Sequence, residues 1–77
     1  MINKSVLLKN TAFTGFVFDK VYKNLDAAQT DIDNIIIGHY ILVTRDLEGT
    51  VINAVYQKVL TPNGAQYNYI TTVNPML

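Results

Sequence analysis

The sequence predicts a small α+β domain, mostly antiparallel β, that follows an extended N-terminal arm. Three stretches rich in Val, Ile, Tyr and Thr lie between residues 39 and 73, short turn sequences separate them, and a single stretch with helical spacing precedes them. β-branched and aromatic residues favour strands, and a length of 77 residues leaves room for one domain. We therefore divide the chain into an arm, residues 1–14, and a single domain, residues 15–77.

The arm shows no clean hydrophobic period. Its apolar residues would be unfavourable in water, so we expect them to pack on another chain or across the sheet. The residues concerned are Val6, Leu7, Leu8 and Phe13.

A first strand is predicted from Gly15 to about Tyr22, with Phe16 and Phe18 on one side. Asn24 offers a side-chain cap for a short helix. Apolar residues then recur at intervals of three and four, which predicts a helix that ends around Asp33 and Asn34. This stripe comprises Leu25, Ala28, Ile32 and either Ile35 or Ile36.

A three-stranded antiparallel meander should complete the fold. Its strands are predicted over residues 39–45, 50–60 and 66–73. In the first of these strands the side chains that point to either face of the sheet are apolar, which indicates that both faces are covered. Residues 46–49 and 61–64 supply the two turns, and the Asn63-Gly64 pair is a strong hairpin signal.

Composition excludes several functional classes and favours association. Net charge is zero, which argues against nucleic-acid binding, and the absence of cysteine with a single histidine argues against a structural zinc site. The longest apolar stretch, residues 35–43, is far shorter than the ~20 residues of a membrane helix. Only 16% of residues are charged, against roughly 25% in an average domain. A homo-oligomeric interface would account for this, and so would a generous monomeric core.

No catalytic constellation is evident, and we predict neither an enzyme nor a cofactor or metal. A serine hydrolase would need Ser5, His39 and an acid to converge, whereas His39 is interpreted as a residue of a buried strand with one hydrogen bond. Asp31, Asp33 and Asn34 lack the glycine and glutamate of a calcium loop and are interpreted as a solvated helix end.

The tyrosines admit two interpretations. Tyr56, Tyr67 and Tyr69 lie on neighbouring predicted strands, where they form either cross-strand packing pairs or an exposed aromatic patch that binds a sugar or a protein. Packing is favoured, because adjacent strands bring such rings together in any sheet.

Residues 33–43, with the Ile-x-x-Gly-x-Tyr element and the strand that follows, resemble a module of bacteriophage tail, appendage and fibre proteins. The resemblance continues through residues 55–59, the Asn63-Gly64 turn, Tyr67, residues 69–70 and residues 73–74, so it covers residues 25–77. It implies a non-enzymatic virion protein, often trimeric, whose early residues attach an appendage to the particle. No functional residue carries over.

We therefore expect a structural component of a phage virion that anchors a tail fibre or similar appendage to tail, collar or baseplate proteins. The chain is expected to be the N-terminal attachment part of a longer protein and to form homo-oligomers, with a trimer as the expected form. The alternative is a carbohydrate- or protein-binding module on a tyrosine-rich sheet face. The expected partner interface comprises Val6, Leu7, Leu8, Phe13, Phe16, Phe18, Tyr56, Tyr67 and Tyr69.

Overall fold

A computed structural model of the chain describes residues 15–73. The elements are β1 (Phe18–Tyr22), α1 (Leu25–Thr30), a 3-10 turn (Ile32–Asn34), β2 (Tyr40–Arg45), β3 (Val51–Thr61) and β4 (Gly64–Thr72). The four strands form one mixed sheet in the order β1-β2-β3-β4. A fold that is mostly strand with one short helix agrees with the predicted α+β class. The predicted arm, residues 1–14, lies outside the described residues.

The meander of β2, β3 and β4 is confirmed, and a short turn joins the strands of each antiparallel pair. Asp46 Oδ1 accepts hydrogen bonds from the backbone N–H groups of Glu48 and Thr50, both at 2.9 Å, which fixes the first turn. Thr61 pairs with Gly64 across the second turn. Gly64 has φ of +111°, a conformation that glycine adopts without steric cost. The backbone of the second turn therefore accounts for the glycine at this position.

β1 pairs with β2 in parallel, which requires a connection that crosses over the sheet. α1 and the 3-10 turn provide this connection. Asn24 caps α1 as predicted, because its Oδ1 accepts a hydrogen bond from the N–H of Ala27 at 2.9 Å. Phe16 and Phe18 lie on one side, also as predicted, with their rings stacked 6.0 Å apart.

The predicted end of the helix is wrong. α1 ends at Thr30, because the N–H of Asp31 bonds to the carbonyl of Ala28 at 3.1 Å and so tightens the last turn. The 3-10 turn that follows buries Ile35 and leaves Ile36 exposed. Of the two isoleucines left open by the sequence, Ile35 is therefore the one in the apolar stripe.

Apolar side chains pack on both faces of the sheet. The helix-side cluster comprises Ala28, Ile35, Ile41 and Val43, and the opposite cluster comprises Phe18, Leu42 and Val55. Consecutive residues of β2 alternate between the two clusters, which confirms that this strand is covered on both faces.

β3 contains one irregular position next to the opposite cluster. Asn53 has φ of +48°, and the pairing of β2 with β3 shifts between Val43 and Arg45. Asparagine tolerates this left-handed conformation better than most residues. The carbonyl of Asn53 accepts a hydrogen bond from the N–H of Val73 at 2.9 Å, which ties the end of β4 to the irregularity.

Candidate functional site

The nine predicted interface residues fall into three groups. Val6, Leu7, Leu8 and Phe13 lie outside the described residues. Phe16 and Phe18 belong to the opposite face of the sheet, where Phe16 packs edge-on against Tyr40 with ring centroids 5.0 Å apart. Phe18 is buried in the chain's own core.

The three tyrosines form a ladder on the helix side of the sheet. The ring of Tyr56 packs edge-on against Tyr67 at 6.3 Å and against Tyr69 at 5.8 Å. Tyr56 and Tyr67 also pack on the helix-side cluster and are half-buried, whereas Tyr69 is 54% exposed. The structure thus brings all three together and exposes mainly one of them.

Asp31 is the centre of a polar network that the sequence did not reveal. Its Oδ2 accepts hydrogen bonds from the Tyr22 hydroxyl at 2.6 Å and from Lys20 Nζ at 2.9 Å, and its Oδ1 accepts one from Asn34 Nδ2. Asp31 lies at the end of α1, as interpreted, and its side chain is partly exposed. Its carboxylate also links β1 to the end of α1.

These hydrogen bonds change the acidity of the groups in the network. The pKa of Asp31 lies well below its usual range because Tyr22, Asn34 and Lys20 all donate to the ionised carboxylate. The pKa of Tyr22 lies well above its usual value because the side chain is partly buried and its hydroxyl donates to Asp31. Burial and the nearby charge of Asp31 raise the pKa of Tyr67 as well.

The Asp31 network should make the fold sensitive to acid. The folded state lowers the pKa of Asp31 below its unfolded value of about 4, so its stabilising contribution is complete above that pH and is lost as the pH falls further. Between pH 5 and pH 2 we expect the urea midpoint of Asp31→Asn to change less than that of the unchanged protein. Asp33→Asn, an exposed neighbour, is the control and should keep the original pH dependence. Equal pH profiles for all three proteins would contradict this role of Asp31.

His39 is exposed and does not lie in a buried strand, which corrects the prediction. It precedes β2, and its Nδ1 lies 2.9 Å from both carboxylate oxygens of Asp19 on β1. A histidine that contacts an aspartate supplies two of the three residues of a serine-hydrolase triad, and the third would be a serine. Ser5, the only serine of the chain, lies outside the described residues.

An open cleft lies at the other end of β2 from His39. It has a volume of about 400 Å³ and combines apolar walls with carboxylates from α1 and from the turn between β2 and β3. Arg45 and Asp46 are engaged within that turn, since Arg45 Nη1 donates to the carbonyl of Gly49 at 2.8 Å. The cleft is lined by Leu25, Asp26, Arg45, Asp46, Leu47, Glu48, Ile52 and Tyr56.

Across residues 15–73, no three His, Asp or Glu side chains are grouped so that they could hold a metal ion. Within the same residues no helix has the length and apolar character needed to cross a membrane. No family model, curated protein or solved structure matches this chain.

Proposed function

We propose that the chain is a non-enzymatic structural component of a phage virion that anchors a tail fibre or similar appendage to the particle. The observation that supports an assembly role is the number of large apolar side chains left exposed by a chain with so few charges. They are spread over turns, connections and strands. The most exposed are Val17, Ile36, Leu47, Val51, Leu60 and Tyr69.

Support for a virion location comes from the resemblance to phage appendage modules. Residues 33–43, which begin that resemblance, form the connection from the 3-10 turn into β2, and Asn63-Gly64 forms the hairpin between β3 and β4. These segments shape the meander. A role as a scaffold for attachment is consistent with residues that build the turns and strands of a fold.

In this proposal the arm, residues 1–14, docks on a tail, collar or baseplate protein, while the sheet packs against other copies of the chain. Val6, Leu7, Leu8 and Phe13 supply the apolar contacts of the arm. A trimer is the form that the resemblance implies. The domain, residues 15–77, is the part of the chain that the arm attaches to the particle.

Deleting residues 1–13 should abolish incorporation into particles while the sheet still folds. The measurement is immunoblotting of purified particles assembled with the full chain or with the truncated chain, with circular dichroism as the check on folding. Replacing Val6, Leu7 and Leu8 by serine in the full-length chain should give the same loss if apolar contacts drive docking. Replacing the polar arm residues Asn3, Asn10 and Thr11 by serine is the control, and this variant should still assemble.

Two results would overturn the proposal separately. A truncated chain that still enters particles would remove the anchoring role of the arm. A full chain that is missing from purified particles would remove the virion location itself.

A carbohydrate- or protein-binding module is the second candidate, and the exposure of Tyr69 is the observation that favours it. Because Tyr56 and Tyr67 are half-buried, such a site would present one full ring and two ring edges. Loss of binding to host-surface glycans in Tyr69→Ala, with folding unchanged, would favour this candidate over attachment.

A further inference from the structure

The strand β4 forms one edge of the described sheet, and β1 forms the other. β4 has nine residues, which corresponds to an edge about 30 Å long. An edge strand presents a row of backbone N–H and C=O groups on its outer side, and this row is a template for pairing with another strand. Soluble proteins usually protect such an edge with charged residues, proline, a bulge or a short strand.

β4 lacks most of the usual protection, and its one irregularity lies near its end, where its pairing with β3 shifts between Tyr69 and Thr71. No charged side chain follows Lys58 in the sequence, so β4 carries no charge at all, and neither proline of the chain lies within it. Threonine hydroxyls donate to backbone carbonyls of β4 near the two ends of the strand. Thr61 Oγ1 donates to Gly64 O at 2.8 Å, and Thr71 Oγ1 donates to Thr72 O at 3.1 Å.

The opposite edge differs in length and in charge, and its irregularity lies at its start. β1 has five residues, its pairing is irregular between Phe18 and Lys20, and it carries both Asp19 and Lys20. A short, bulged and charged strand is protected against further pairing. A head-to-tail contact between β4 and the β1 edge of another copy is therefore disfavoured, and a contact between two β4 edges is favoured.

We propose that β4 pairs antiparallel with the β4 of a second copy, so that two four-stranded sheets join into one. A self-complementary contact of this kind closes on a two-fold axis and leaves both β4 edges covered. No like charges face each other in it, since β4 carries none. The proposal concerns self-association and does not depend on a virion location. It gives a dimer where the resemblance implies a trimer, so the measured oligomeric state distinguishes the two.

Centring the contact on the middle of β4 sets the register and leaves the irregularity at Ile70 outside the three central pairs. Asn68 is the middle residue of β4 and then lies opposite the Asn68 of the second copy, while Tyr67 lies opposite its Tyr69. Opposed residues of antiparallel strands share a face, so the tyrosine ladder formed with Tyr56 would continue across the contact. Tyr69 would then gain the cover that it lacks in a single copy.

Charge placed at Asn68 tests this contact, because the Asn68 side chain is exposed and its replacement leaves the core intact. We expect the full chain to be a dimer by sedimentation equilibrium and Asn68→Lys to weaken it by about tenfold or more, since like charges would oppose each other. Asn68→Glu should do the same, and mixing the two variants should restore the dimer. Asn63→Lys, the same change at an exposed hairpin turn, is the control and should dimerise normally.

Hydrogen exchange locates the contact directly. Amide protection in β4 should rise with protein concentration in the unchanged protein and in Asn63→Lys, and should not rise in Asn68→Lys. A monomer at every concentration would overturn the proposal, as would an oligomer that Asn68→Lys leaves intact. A monomer that Asn68→Lys destabilises would also overturn it, and would indicate that residues of the same chain cover β4.

Discussion

Replacing Lys58 by methionine should lower the free energy of unfolding by about 3 kcal/mol, because the ammonium makes two buried charge-assisted hydrogen bonds. Lys58 is only 7% exposed. Its Nζ donates to the carbonyl of Ile32 at 2.8 Å and to the carbonyl of Ile35 at 2.7 Å. Methionine keeps the length and the apolar stem of the side chain but leaves both carbonyls without this donor.

The position of Lys58 explains why the loss should be large. Its two side-chain acceptors belong to the 3-10 turn and to the residue that follows it. The carbonyl of Ile32 also accepts from the N–H of Ile35 at 3.1 Å, so Lys58 adds a second hydrogen bond there. Its backbone holds the same connection from the other side, since the N–H of Lys58 bonds to His39 at 3.0 Å and its carbonyl accepts from Gly38 at 2.7 Å. Lys58 thus fastens the connection between α1 and β2 to the sheet.

Urea unfolding followed by far-ultraviolet circular dichroism measures this effect. Lys23→Met removes the same ammonium from an exposed position and should change the free energy of unfolding by about 0.5 kcal/mol or less. Should the two variants lose equal stability, the hydrogen bonds of Lys58 would contribute no more than an ordinary surface charge.

The local parts of the fold could be predicted from the sequence. The two turns of the meander and the cap at Asn24 depend on residues only a few positions apart, so their signals lie side by side in the chain. Alternation in β2 correctly indicated cover on both faces. Each of these features rests on a single residue type in a short, recognisable pattern.

Features that depend on distant contacts could not be predicted in the same way. The parallel pairing of β1 with β2 joins strands separated by α1, and no turn sequence marks it. The hydrogen bond from Tyr22 to Asp31 and the contact of His39 with Asp19 likewise become visible only when the sheet is assembled. The helix end was mispredicted because the apolar stripe continues through Ile32, whereas the helix tightens to 3-10 geometry after Thr30.

The candidate site likewise combines features that are visible in the sequence with features that depend on distant contacts. The uncharged run after Lys58 is plain in the sequence, but its importance depends on β4 being an edge strand, which only the strand order establishes. The burial of Lys58 had no clear signal in the sequence, because lysine is almost never fully buried and Leu60, two positions further on, is exposed.

Ile41→Ala should lower the free energy of unfolding by about 3 to 4 kcal/mol, because it removes three carbon atoms from the middle of the helix-side cluster and leaves a cavity. Ile41 is fully buried in β2, which is paired on both sides, so the surrounding backbone has little freedom to close the space. Ile36→Ala makes the same chemical change at a side chain that is 61% exposed, and it should cost less than about 1 kcal/mol. Thermal and urea unfolding at one protein concentration compare the two variants without a contribution from any change in self-association. Similar losses in both would mean that Ile36 is covered in solution by another surface, which would direct the search for a partner to the connection between α1 and β2.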